Sequence, residues 1–358
     1  MEIILSHKIR LVPNKEQSEY FAKACGIARF AWNWGLAEWQ KQYEAGLKPS
    51  GLSLKKEFNA VKGTDFRWTY EVTKYACQQP FIFLQKAFVN FFSGTAEYPR
   101  FKKKGIHDSF YVGSDHFDIE GKKIRFPKLG RVKMRECLRF PGKVINATVS
   151  RIAGMWFVSI SVKLGTSPAA CESQAVAGVD LGIAKLATVS DGSVTENPKA
   201  YRKLEKKLAK LQRSLCRKVK GSNNREKAKK KVAKLHYRIS CIRQDSLHKL
   251  TTGLTRKFSV VGIEDLNVNG MMQNGKLAKA VADMGFHEFR RQLEYKAEMT
   301  GSRIVIAGKF FPSTKKCSGC GNVNTEITLS DRIYTCQVCG LTVDRDLNAA
   351  LNLKALAA

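Results

Sequence analysis

The sequence predicts an α/β protein, and three observations carry that reading. Apolar strands ending in acids, "AVAGVD" (175–180) and "FSVVGIEDL" (258–266), alternate with stretches of helical period and with a further strand, "SRIVIAG" (302–308). Residues 105–165 instead hold short alternating strands at close spacing, which suggests a small barrel or sandwich. Four cysteines in two Cys-x-x-Cys pairs then interrupt the chain before a last amphipathic helix.

In order, "MEIILSHKIRLV" (1–12) reads as a strand. Pro13 disfavours its continuation, and Asn14 with Gln17 has capping-box spacing, so a helix opens there. Phe21, Cys25, Ala28, Trp32, Leu36 and Trp39 recur at steps of three and four, which gives a helix over 15–45. Helical character resumes across 53–92, where Phe81, Leu84, Phe88 and Phe92 repeat those steps. Bases could stack on such aromatics, but their spacing is that of a core face. Composition changes at "YPRFKKKG" (98–105), and a loose connection, "GTSPAACESQ", covers 165–174. After the strand–turn–strand of 175–194, residues 201–254 form a helical hairpin turning at "GSNN" (221–224). A helix over 283–300 precedes the last sheet strand.

Charge is the strongest global signal. Lys and Arg number 62 against 31 acids, a formal net charge of +31. Solubility does not require so lopsided a surface, and a polyanionic partner explains it, with nucleic acid foremost. Within 201–250 there are eighteen Lys/Arg and three acids, the pattern of a phosphate-facing surface. No apolar run reaches the roughly 18 residues of a membrane span, and no signal-peptide core is visible, so the expected location is the cytoplasm or nucleoid of a microbe.

The cysteines Cys317, Cys320, Cys336 and Cys339 match a tetrahedral zinc site, each knuckle turning two sulfurs to one centre and the spacer forming a hairpin between them. Four thiolates leave no open position, so the zinc is expected to be structural. The other six cysteines, Cys25, Cys77, Cys137, Cys171, Cys216 and Cys241, read as small buried hydrophobes. Asp180 and the pair Glu264–Asp265 end apolar strands, where ligands of α/β sheets gather. Each also suits a helix cap or a surface acid. Three acids on one sheet would hold two magnesium ions for phosphodiester hydrolysis. Spacing does not choose between Glu264 and Asp265, nor between Asp344 and Asp346.

"GVDLGIAKLATVSDG", the basic hairpin, "VGIEDLNVNGM", "PSTKKCSGCG", "LSDRIYTCQVCG" and "DRDLNAALNL" together resemble the TnpB (OrfB) family of insertion-sequence proteins, relatives of type V CRISPR nucleases. The resemblance extends to "RLVPNKEQ", "YPRFKKKG" and "IRFPKLGRVKM", and so covers essentially the whole chain. It implies an RNase H-like RuvC domain with catalytic, magnesium-binding Asp180, Glu264 and Asp346, and a zinc ribbon inserted before the final helix. The implied domains are a wedge barrel (1–12 and 96–170), a helical recognition domain (13–95), RuvC (171–310), the ribbon (311–340) and a RuvC C-terminal segment (341–358). The implied activity is RNA-guided cleavage of double-stranded DNA beside a short transposon-adjacent motif, with a guide RNA encoded near the transposon end and a monomeric protein. A miniature CRISPR effector and a nucleic-acid-binding regulator with vestigial acids are the rival readings. A strand-transfer transposase ranks below them, because the six histidines are dispersed and no paired-histidine motif with a catalytic tyrosine is evident.

Overall fold

A computed structural model describes residues 3–165, 171, 173–328 and 331–358. Contacts divide the chain into two compact units, Met1–Thr166 and Ser167–Ala358, described separately below.

In the first unit, β1 (Ile4–Val12) leads into α1 (Lys15–Glu44). The predicted capping box is present: Asn14 Oδ1 accepts from the Gln17 backbone at 2.8 Å, and Gln17 Oε1 accepts from the Asn14 backbone at 3.1 Å. The helical character expected across 53–92 resolves into two helices, α2 (Gly51–Asp65) and α3 (Lys74–Phe92), joined by a 3₁₀ turn at Arg67–Glu71. The break follows from aromatic anchoring. Phe66 packs on Phe30 and Phe58, and the chain turns to keep it there. Phe21, Leu36, Phe81, Leu84 and Phe88 are buried as their spacing predicts, whereas Phe92 and Trp68 are exposed.

The strands β2 (Ser109–Gly113), β3 (Asp118–Glu120), β4 (Lys123–Phe126), β5 (Gly130–Met134), β6 (Lys143–Ile152) and β7 (Met155–Lys163) join β1 in one antiparallel sheet. Its order is β2-β6-β7-β1-β5-β4-β3. β1 is shared: residues 4–10 pair with β7, and Leu11 and Val12 pair with β5. The predicted small barrel is therefore one sheet that changes direction at β1, with β2 and β3 as its edges.

The second unit is built on five strands: β8 (Val176–Asp180), β9 (Lys185–Val189), β10 (Val194–Glu196), β11 (Val260–Glu264) and β12 (Arg303–Ala307). Their order is β10-β9-β8-β11-β12, parallel across β8, β11 and β12 and antiparallel towards β10. The hairpin is α4 (Ala200–Cys216) and α5 (Asn223–Lys257), turning where Ser222 caps α5. Its outer part has its own small core of Leu208, Leu235 and Ile239.

After β11 come α6 (Val268–Gln273), α7 (Ala278–Met284) and α8 (Phe286–Thr300). The helix predicted over 283–300 thus starts later. Gly285, at φ +72°, takes a left-handed conformation that ends α7 and begins α8. β13 (Ile333–Thr335), β14 (Thr342–Asp344) and α9 (Arg345–Ala357) complete the unit.

Strand parity sorts the two faces of this sheet. Ala177, Val179, Val261 and Ile263 enter a core with Leu247, Leu250 and Leu254 of α5 and with Phe286, Phe289 and Leu293 of α8. The residues between them, Gly178 and Gly262, face α9.

Candidate active site and cysteine centre

Because Gly178 and Gly262 point at α9, residues two further along each strand, Asp180 and Glu264, share that face. They follow the register pair Val179–Ile263 at the carboxyl ends of two parallel strands. α9 carries Asp346 in its first turn to the same place. Burial pushes the Asp180 carboxyl up to about 8, and the charges of Glu264 and Asp346 add to that rise, with Arg345 opposing it.

The structure separates each candidate from its neighbouring acid. Asp344 caps α9: its Oδ1 accepts from the Asp346 and Leu347 backbones at 2.9 and 3.1 Å, and its Oδ2 meets Lys185 Nζ at 3.1 Å. Against burial, those partners hold its carboxyl below the usual range. Asp265 pairs with Arg290 at 2.8 Å and is exposed. Asp346 and Arg345 form an ion pair at 3.1 Å with both side chains largely buried, and Arg345 Nη1 also donates to the Thr328 carbonyl. Arg345 therefore braces Asp346 from within.

Residues that sequence reasoning missed tie this site to the cysteine insert. Asn348 and Asn352 lie one turn apart on α9 and are buried, 0% and 3% exposed. Asn348 donates to the Lys316 carbonyl at 2.7 Å and accepts from the Ser318 backbone at 2.9 Å. Asn352 donates to the carbonyls of Ser313 and Lys316 at 2.7 and 2.6 Å. The Ser313 hydroxyl then donates to Glu264 Oε1. The arm 313–318 is thus a strut between Glu264 and the helix bearing Asp346. The only sequence signal was a pair of asparagines at i, i+4 in an alanine-rich helix, which reads equally as a polar face.

The four predicted cysteines converge, their sulfurs all within 4.8 Å of one another. Cys317 Sγ lies 3.6 Å from Cys339 Sγ, and Cys320 Sγ 3.6 Å from Cys336 Sγ. Sulfurs about 2.3 Å from a tetrahedral ion stand about 3.8 Å apart, so the set fits such an ion. Backbone N–H groups of Cys339 and Val338 pull the Cys336 thiol down to about 6. Among the described residues no other group of His, Cys or carboxylate atoms gathers this closely, so the three acids form a more open arrangement.

The hairpin differs from the expected one. β13 and β14 frame the second knuckle, a single bridge between Lys316 and Val323 frames the first, and residues 329 and 330 of the spacer lie outside the described residues. Of the remaining six cysteines only Cys25 and Cys77 are buried as expected; Cys171 is half-buried, and Cys137, Cys216 and Cys241 are exposed.

Beside Glu264 opens a cleft of about 450 Å³, lined by the 264–269 segment, by His287 and Arg290 of α8, and by Lys309. No described helix is long and apolar enough to cross a membrane.

Three family models match the chain: OrfB_IS605, "Probable transposase", over residues 159–275; "Cas12f1-like, TNB domain" over 286–353; and a "Helix-turn-helix domain" over 1–48. In this structure residues 3–48 form one strand and one unbroken helix rather than two helices about a turn. The InsQ protein of Escherichia coli K12, named as an RNA-guided DNA endonuclease, is 36% identical over 99% of this chain and 92% of its own length. A Streptomyces pristinaespiralis protein of like name is 37% identical over 97% and 88%. Among solved structures, a Cas12f1–sgRNA–target DNA complex matches at a TM-score of 0.62, with 14% identity over 96% of this chain and 83% of that one. That likeness is one of fold.

Proposed function

From the premise that the chain belongs to the OrfB family of insertion-sequence proteins, we propose that it is an RNA-guided DNA endonuclease whose site is Asp180, Glu264 and Asp346. Its fold is the α/β, RNase H-like RuvC arrangement with an inserted cysteine ribbon. One observation carries the assignment of the site: strand parity and the α9 cap bring three carboxylates to one sheet end, in a chain of net charge +31. A buried carboxyl raised by two like-charged neighbours is stabilised by a cation, and phosphodiester substrates arrive with cations.

Asp180, Glu264 and Asp346 would hold two magnesium ions, which when bound polarise the scissile phosphate and activate water. The protein's own part is placement. β8 and β11 fix Asp180 and Glu264, Ser313 orients the Glu264 carboxylate, and Arg345 holds Asp346 against α9. Cys317, Cys320, Cys336 and Cys339 would bind one zinc ion, and the asparagine strut carries that rigidity to the site.

The exposed lysines and arginines of α4 and α5 supply a surface for a nucleic-acid backbone. A guide RNA from the transposon end, held by a monomer, would choose the target by base pairing. Residues 13–95 with the barrel of 1–12 and 96–170 would form the recognition lobe that reads the adjacent motif; 171–310 and 341–358 would form the nuclease and 311–340 its ribbon.

The deciding experiment sequences RNA co-purified from the native locus and then offers the complex a matched duplex. Magnesium-dependent cutting of the matched target, lost in Asp180→Ala with binding retained, is the expected result. Equal cutting of matched and unmatched DNA by RNA-free protein would remove guidance from the reading.

A further inference from the structure

Phe310 is 91% exposed, the most exposed large apolar side chain among the described residues. It occupies, with Lys309, the corner of a turn closed by the Phe311 backbone donating to the Gly308 carbonyl at 2.8 Å. Pro312 follows, and Ser313 is fixed by Asn352 and by its own bond to Glu264. The turn is therefore held at its base three residues from Phe310, on the carboxylate site itself. Lys309 lines the cleft beside Glu264, and its Nζ lies 5.8 Å from the Phe310 ring centre.

An aromatic ring left in water beside a cation is the pattern of single-strand binding, where every base offers a face to stack upon. We propose that Phe310 is a stacking platform for one base of single-stranded DNA entering the Glu264 cleft, with Lys309 contacting the neighbouring phosphate. The inference deepens the nuclease reading and rests on it for the identity of the strand. A paired base has its faces covered by its neighbours, so the platform favours unpaired DNA and sets which nucleotide lies over the carboxylates.

The test uses the full chain and a labelled oligothymidylate about twelve nucleotides long, within the usual site size, carrying one 5-iododeoxyuridine. Irradiation joins that base to an aromatic ring stacked on it, and peptide mapping locates the adduct. An adduct at Phe310 is expected in wild type and in Asp180→Ala, and none at that position in Phe310→Ala. Guided cleavage should fall about tenfold in Phe310→Ala and return in Phe310→Tyr, the range that loss of one stacked base produces. Adducts confined to other aromatics, with unchanged cutting by Phe310→Ala, would overturn the platform and leave the nuclease reading standing. A Phe310 adduct in a protein that cuts no guided target would do the reverse. A change of oligomeric state in Phe310→Ala, with no adduct, would assign the ring to a protein contact and also overturn the proposal.

Discussion

Gly178 and Gly262 are register partners on adjacent parallel strands, and α9 lies across both. A Cβ at Gly178 would meet the Ala350 carbonyl oxygen and the Lys354 nitrogen; one at Gly262 would meet the Leu353 carbonyl oxygen. Backbone cannot yield as a flexible side chain does, so the glycine pair sets how closely the helix carrying Asp346 approaches Asp180 and Glu264.

Gly178→Ala should destabilise the protein by about 1–3 kcal/mol, as overpacking does, and should reduce cleavage beyond the loss of folded protein. Gly253→Ala is the control, since that α5 glycine has open space around it and alanine favours a helix by up to about 1 kcal/mol. Thermal melts of the two variants should move in opposite directions.

Asp344 and Asp346 should separate stability from chemistry. Asp344→Ala loses the α9 cap and about 0.5–2 kcal/mol, while Asp344→Asn keeps most of it. Asp346→Asn, which keeps an acceptor for the largely buried Arg345 and relieves Asp180 of a like charge, should melt close to wild type yet should not cut. An active Asp346→Asn would transfer the metal-binding role to Asp344.

Asp180 predicts a pH dependence. Folded, it holds its proton to about pH 8; unfolded, it releases it near 3.8. The folded state therefore binds more protons between those values, and its stability falls as pH rises through them. In magnesium-free buffer, the gain in melting temperature from Asp180→Asn should grow from pH 5 to pH 8. A constant difference across that range would remove the buried, crowded carboxyl from the account.

The strut should be visible apart from the cysteines. Ser313→Ala deprives Glu264 of its hydroxyl donor, so the magnesium concentration for half-maximal cutting should rise several-fold while zinc content stays at one ion per chain. Ser313→Thr should restore it. Asn352→Ala deprives the buried Ser313 carbonyl of its side-chain donor, while Lys316 keeps Asn348, and should cost about 1–3 kcal/mol. Calorimetric titration with manganese, which needs no cutting, should show the same order of affinities.

Cys317→Ser should lose zinc by elemental analysis and expose Tyr334, which is fully buried in the ribbon's small core. Full activity in a preparation without zinc would dissolve the link between ribbon and site.

Local pattern made much of this readable. The Asn14–Gln17 box, the stripe of α1, the strands ending in acids and the two knuckles are each written in contiguous residues. What escaped depends on distant partners. Glu264 is distinguished from Asp265 by the side of the sheet that α9 covers, and Asp346 from Asp344 by a cap whose other carboxylate oxygen meets Lys185. The break near Phe66 needed knowledge of where Phe30 and Phe58 lie. Asn348 and Asn352 carry hydrogen bonds that composition assigns to solvent.

The ion pair between Lys185 and Asp344 spans 159 residues, and the packing of α9 on Gly178 of β8 joins parts of the chain as far apart. Long-range closure of this kind is slow and follows the local elements in time. On a ribosome, the basic helices of 200–257 emerge well before 345–357. The nascent protein thus carries its basic helices before the helix that brings Asp346 to the sheet, a grip made ahead of its blade.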